Sequence, residues 1–161
     1  MRLSKNFTVR EFVNSNVANR LCIDNTPNDT QMANLKMLVD NIIQPLRDKV
    51  GPIRISSGFR CEKLNKAIGG SSRSQHCQGK ACDIQFYKNN RMNNKILFDA
   101  IIELDLPFDQ MINEFDYSWI HISFCNCDKR RGQILEAVKN NITKKTSYID
   151  ITNIHKNLKS L

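Results

Sequence analysis

The feature that most constrains this chain is a histidine and an aspartate spaced seven residues apart in Ser74-Gln75-His76-Cys77-Gln78-Gly79-Lys80-Ala81-Cys82-Asp83. A glycine separates them and Ile84-Gln85-Phe86 follows as a short strand, so the imidazole belongs to a loop and the carboxylate to the start of a strand. Imidazole nitrogen and carboxylate oxygen both suit zinc, and the pair offers two corners of a tetrahedron. A third ligand is needed, and the best candidate is His121 in Trp119-Ile120-His121-Ile122-Ser123. Two histidines and one carboxylate leave the fourth position open, which is what a catalytic zinc requires.

The surrounding pattern alternates between helix and strand. Thr8-Val9-Arg10-Glu11 has the form of a capping box, with Phe7 and Phe12 placed as a hydrophobic staple, so a short helix runs through Phe12 and Val13. After a turn at Asp24-Asn25-Thr26-Pro27, the residues Met32, Leu35, Val39, Ile42, Ile43, Leu46 and Val50 recur at helical spacing. Pro45 inside that run predicts a kink or break near Ile43-Gln44. Gly51-Pro52 ends the helix, Ile53 to Ser56 alternates like a half-buried strand, and a short helix is expected from Glu62 to Ile68. In the strand Ala81 to Phe86, Asp83 and Gln85 share one face while Cys82, Ile84 and Phe86 share the other.

Met92, Ile96, Leu97, Ala100, Ile101 and Leu104 mark a further helix that Pro107 ends. Phe108 to Glu114 and Trp119 to Phe124 read as two strands joined by Phe115-Asp116-Tyr117-Ser118. In the second, Ile120, Ile122 and Phe124 form an apolar face, so Trp119, His121 and Ser123 point away from the core and toward a cleft. In the first, Gln110, Ile112 and Glu114 share a face. Gln133 to Val138 and Thr146 to Ile151 read as a further hairpin or as a strand and a helix.

At 161 residues the chain suits a single domain with a real core, divided into a helical part over 1–50, a zinc-site core over 51–138 and a tail over 139–161. Its 40% hydrophobic and 25% charged residues exclude a disordered chain. No run approaches the ~18 apolar residues of a membrane span. The first residues carry no apolar signal region, so synthesis in the cytoplasm is expected, with later release to the wall or carriage in a virion. The net charge of +8 favours encounter with anionic polymers. Lysines and arginines are scattered, apart from Lys129-Arg130-Arg131 and Lys144-Lys145, and no nucleic-acid motif is present, so no nucleic-acid partner is expected. In a chain of this length without an export signal the six cysteines are read as reduced thiols, with a disulfide the minor alternative, and Cys77, Cys82, Cys125 and Cys127 have poor spacing for a zinc knuckle. His155, in the polar tail, is read as solvated.

Ser57-Gly58-Phe59-Arg60, Ser74-x-His76-x-x-Gly79-x-Ala81-x-Asp83 and Trp119-x-His121 together resemble the zinc peptidoglycan peptidases of the D-alanyl-D-alanine carboxypeptidase family. That group includes phage L-alanyl-D-glutamate endolysins and the vancomycin-resistance dipeptidase, with the Hedgehog signalling domain a distant fold relative. Asn6-Phe7-Thr8-x-x-Glu11-Phe12 and Gln44-Pro45-Leu46-Arg47 resemble its phage and bacterial branch, and the resemblance covers roughly residues 3 to 138.

The resemblance implies an α+β fold, a small and mostly antiparallel sheet flanked by helices, with one Zn2+ on one sheet face held by His76, Asp83 and His121. It implies that Arg60 meets a substrate carboxylate or the developing oxyanion. It makes Ser74 a substrate-binding residue, with Trp119 a wall of the cleft and Gln110 a candidate partner beside them. Many members carry an acid three residues before the last histidine; here that position is Ser118. The general base is therefore sought in Glu114 or Asp116, with Glu114 favoured for its place at a strand end facing the cleft. The implied protein is a monomeric phage-type or prophage-type lysin cutting a stem-peptide amide. The rival is a catalytically silent, zinc-stabilised binding domain of the same fold, which the missing acid at 118 would suit.

Overall fold

The computed structural model describes residues 1–158. Glu11 accepts hydrogen bonds from the amide and hydroxyl of Thr8, both at 2.7 Å, and so starts α1 (Val9–Val13). Phe7 packs edge-on against Phe12 with ring centroids 6.0 Å apart, completing the expected staple. After α2 (Asn16–Arg20), Asn28 and Gln31 form a second reciprocal cap on α3 (Asp29–Leu38). Residues Val39–Ile43 then wind as a π-helix before α4 (Gln44–Val50), with the Gln44 amide donating to the Val39 carbonyl. Pro45 has no N–H to offer Asn41, and its ring would crowd that carbonyl; the widened turn removes both problems. The predicted kink is thus a π-turn rather than a break.

Seven strands form the sheet: β1 (Ile53–Ser57), β2 (Ala81–Lys88), β3 (Arg91–Met92), β4 (Gln110–Glu114), β5 (Trp119–Ser123), β6 (Gln133–Lys139) and β7 (Thr146–Asp150). Their order is β1-β2-β5-β4-β6-β7, with β3 paired to β2. Every pairing is antiparallel except β4 with β6. Three more helices complete the chain: α5 (Glu62–Ala67), α6 (Lys95–Glu103) and α7 (Thr152–Leu158). The fold is the expected α+β arrangement of a mostly antiparallel sheet flanked by helices.

One sheet face carries the core. Cys82 and Ile84 of β2, Met111 of β4 and Ile120 and Ile122 of β5 are fully buried in a single cluster with Leu35, Leu38, Ile42, Leu46, Leu97 and Ile101 from the helices. Each such side chain contributes about 1.5–3 kcal/mol of burial. A one-residue slip of β5 would exchange Ile120 and Ile122 for His121, so core packing sets the register of the opposite face.

Several boundaries differ from the sequence expectation. Arg91 and Met92 pair back onto β2 through Asn89 and Asn90, whose φ values of 51° and 60° suit a tight hairpin, so α6 starts at Lys95 instead of Met92. It ends at Glu103, before Pro107 is reached, and Asp105 takes a left-handed conformation. Of the two readings of the C-terminal region, the hairpin is realised: β6 and β7 pair from Leu135↔Asp150 to Lys139↔Thr146. His155, expected to be solvated, instead lies half-buried with its ring 5.1 Å from that of Phe98, because α7 returns against α6. Cys125 and Cys127, expected as thiols, are joined in a disulfide; the loop after β5 turns tightly enough to bring their Cα atoms to 5.3 Å. Cys22, Cys61, Cys77 and Cys82 remain thiols, as expected.

Candidate metal centre

The face opposite the core gathers the predicted donors. Asp83 on β2 lies directly across from His121 on β5, so the strand register alone brings their side chains together. A bulge in β1 between Ile55 and Ser57 puts Ser57 beside Asp83 on the other flank, where Ser56 Oγ donates to the Asp83 carbonyl at 3.1 Å. His76 arrives from outside the sheet, on a 3-10 turn over Gln75–Gln78. Ser74 Oγ accepts from the His76 amide at 3.3 Å to begin that turn, and Gly79, at φ 69°, ends it. A Cβ on Gly79 would collide with the Gln31 carbonyl, so the turn packs on α3 only because this residue is glycine.

The loop before α5 aims the imidazole. His76 Nδ1 donates to the Gly58 carbonyl at 2.7 Å, which leaves Nε2 with its lone pair toward the site. Gly58 packs so closely on Phe12 that a Cβ would overlap the Phe12 backbone, and the neighbouring Phe59 amide donates to the Phe12 carbonyl at 2.7 Å. Asn25 ties this loop to α1: its amide nitrogen donates to the carbonyls of Val13 (2.8 Å) and Phe59 (3.0 Å), and its oxygen accepts from the Cys61 amide (2.7 Å). The helical N-terminal part is thereby the brace of the histidine loop.

His76 Nε2, His121 Nδ1 and Asp83 Oδ1 converge. The separations are 3.2 Å between the imidazoles, 3.3 Å from His76 to Asp83 and 2.9 Å from His121 to Asp83. A zinc tetrahedron with bonds of about 2.0–2.1 Å spaces its corners about 3.3 Å apart. The three atoms are near that spacing, and their nitrogen and oxygen chemistry suits zinc. Asp83 shares its second oxygen with Arg60, whose Nη2 donates at 2.7 Å while its Nε donates to Ser57 Oγ at 2.9 Å. The carboxylate is therefore turned with one oxygen toward the histidines and one toward the guanidinium.

The electrostatics keep these groups in ligating form. Burial lowers the His76 pKa, against an opposing pull from Asp83, so the imidazole stays neutral. Burial alone would raise the Asp83 carboxyl, but the histidines beside it, with His121 Nδ1 at 2.9 Å, hold it well below the usual carboxylate range.

The donors open into a cleft of about 760 Å³ whose walls include Arg60, Ser74, Gln110, Glu114 and Trp119. Ser74 spends its hydroxyl oxygen on the cap of the histidine turn. Gln110 Nε2 donates to Gln133 Oε1 at 2.8 Å, and the Trp119 ring stands edge-on to Phe115 at 5.5 Å. Glu114 is paired in register with Trp119, is only 8% exposed, and makes no side-chain hydrogen bond to a described residue. Burial raises its pKa, which the neighbouring His121 partly offsets. Asp116, by contrast, is exposed in a turn where Phe115, Asp116 and Tyr117 are all left-handed, with φ between 47° and 59°, and it does not line the cleft. Ser118 closes that turn by donating to the Phe115 carbonyl at 2.8 Å.

Sequence reasoning missed several residues that build the cleft. In the sequence Arg131 stands only as part of a basic cluster, Leu135 as a member of an expected strand and Tyr148 as part of the tail, yet all three line the cavity. Asn94 falls within the helix expected from Met92, where nothing singles it out; buried, it accepts from the Phe86 amide at 2.7 Å and donates to the Tyr117 and Ser118 carbonyls, and so supports the turn that follows Glu114. A buried polar side chain that binds backbone at long range leaves no periodic signal in a sequence.

A His-Asp-His donor set with an open side, beside a buried carboxylate in a cleft, defines a metal-dependent hydrolase site. The sequence matches the family described as Peptidase M15 over residues 5–123, and the chain belongs to that family. The matched span holds all three donors as well as Arg60 and Glu114. Compared with curated proteins, the chain finds no match. Family and donor set together support a zinc metallopeptidase.

Proposed function

We propose that the protein hydrolyses an amide bond in the stem peptide of peptidoglycan, as a D,D-carboxypeptidase or L-alanyl-D-glutamate endopeptidase does, and that it works as a phage-type or prophage-type cell-wall lysin. The observation that carries the reading is Glu114, a buried carboxylate without a hydrogen-bonding partner among the described residues, in the same cleft as three converged donors suited to zinc. His76, Asp83 and His121 would hold the ion. When bound, zinc supplies Lewis acidity toward the scissile carbonyl and brings the pKa of water toward neutrality.

The chain's own residues supply the rest. Glu114 takes the proton of the attacking water and returns one to the leaving amine, a role suited to a carboxylate whose pKa burial has raised. Arg60 steadies Asp83 through Nη2 and puts a permanent positive charge at the wall where the carbonyl oxygen gains negative charge. Trp119 offers a flat apolar wall to the peptide, with Gln110 and Ser74 as polar contacts. The net charge of +8 draws the protein toward an anionic wall.

The test is digestion of purified peptidoglycan and of synthetic stem peptides, with zinc and with a chelator, followed by mass spectrometry. New amine and carboxyl ends that appear only with the metal are expected, and the fragment masses name the bond. Binding to the wall without cleavage would mark the protein as a silent domain instead.

A further inference from the structure

The family match ends at residue 123, but the cleft continues into the C-terminal hairpin. Parallel pairing of β6 with β4 puts Leu135 beside Ile112 and Ala137 beside Glu114, so the β5–β6 loop and the hairpin stand as one wall of the cleft. Arg131 is the cation of that wall, and it is firmly mounted. Asp109, buried at 5% exposure, accepts from Arg131 Nη2 at 2.6 Å and Nε at 3.1 Å with one oxygen, and from the Arg131 amide at 3.0 Å with the other. Gln75, next to the first histidine, donates to Asp109 at 2.9 Å and accepts from Arg131 Nη2 at 3.1 Å.

The pair is lopsided. Its carboxylate is buried while the arginine side chain is 47% exposed at the cleft. With Nε and both hydrogens of Nη2 engaged, Nη1 keeps only a long contact, 3.5 Å to Gln133, so its N–H groups remain for a ligand. Arg60, a half-buried cation nearby, has its fork turned to Asp83 and Ser57. Arg73 also reaches the cavity, but it is exposed and no partner among the described residues fixes its side chain. Fixing a mobile side chain costs entropy that the clamped Arg131 has already lost on folding.

We propose that Arg131, aimed by Asp109 and Gln75, is a specificity-determining residue that receives a carboxylate of the peptide substrate, an inference that rests on reading the cleft as a peptidase site. The Nη1 N–H groups of a permanently charged guanidinium make short, charge-assisted hydrogen bonds to a carboxylate. A stem peptide offers that group in two places, on its glutamyl residue and at its C-terminus, and the test separates them.

Trp119 is the only tryptophan and lines the cleft, so its fluorescence reports binding directly. Zinc-loaded Glu114→Gln protein is titrated with one stem tetrapeptide in three forms: both carboxylates free, the glutamyl carboxylate amidated, and the C-terminus amidated. One amidation is expected to weaken binding about tenfold or more, which identifies the source. Adding Arg131→Gln, which keeps hydrogen bonding to Asp109 but removes the charge, is expected to abolish that difference, and adding Arg73→Ala to preserve it. Matching thermal melts show that the fold survives. Equal binding of all three peptides, no binding at all, discrimination that survives Arg131→Gln, or discrimination lost with Arg73→Ala overturns the proposal. Wild-type turnover keeps the two readings apart. Cleavage without Arg131-dependent discrimination removes only this inference, and discrimination without cleavage removes only the peptidase.

Discussion

Glu114 and Asp116 are two residues apart, and the sequence favours Glu114 only by its place at an expected strand end. The turn between β4 and β5 separates their surroundings: Glu114 ends the strand on the cleft side, whereas Asp116 sits at the exposed apex. Glu114→Gln is expected to cut kcat by a factor of about 10²–10⁴ with zinc content unchanged, while Asp116→Asn stays within about twofold; turnover of stem peptide with metal analysis of each variant decides this. A second residue-scale prediction concerns Gly58. Its carbonyl orients His76, and a Cβ would overlap the Phe12 backbone. Gly58→Ala is expected to cost about 1–3 kcal/mol in urea unfolding and to weaken zinc binding by about 10–100-fold in competition with a chelator.

Between elements, the clearest device is the Asp109 carboxylate at the entry to β4, which anchors the β5–β6 loop through Arg131. Burial would raise its pKa, but the Arg131 side chain and amide, with Gln75, hold it down at about 2. A carboxyl whose folded pKa is depressed stabilises the fold above its ordinary value near 3.8, and that contribution is lost as pH falls toward 2. Urea midpoints measured between pH 6 and pH 2 are expected to drop more steeply for the wild type than for Asp109→Asn, with the two curves converging at the acid end. Local pattern disclosed the caps at Thr8 and Glu11, the alternation of β2 and β5, and a kink at Pro45, because each depends on neighbours within one or two turns. It did not disclose the partnership of Asp109, Gln75 and Arg131, whose members lie 22 to 56 residues apart and meet only when β6 docks on β4.

At the scale of the whole molecule, three donors from a 3-10 turn and two strands meet at one point, so a metal held there would tie together distant parts of the chain. A ligand held by the native state alone adds RT ln(1 + [L]/Kd), about 4 kcal/mol at a thousandfold excess over Kd. For a chain of this size that corresponds to a rise in Tm of roughly 10 °C. Calorimetry with added zinc, and again after chelation, is expected to show this increment in the wild type and to lose it in His76→Ala. The sequence by itself determined which residues could ligate, which faces of β2 and β5 turn from the core, and the α+β class, because donor chemistry and hydrophobic period are local properties. Only the tertiary structure decided that Glu114 lies buried in the donors' cleft while Asp116 stays outside it, that Arg131 closes the far wall, and that α7 carries His155 onto Phe98 of α6. Those outcomes follow from which strands pair and how loops pack, a competition between distant segments for buried area that no local pattern records.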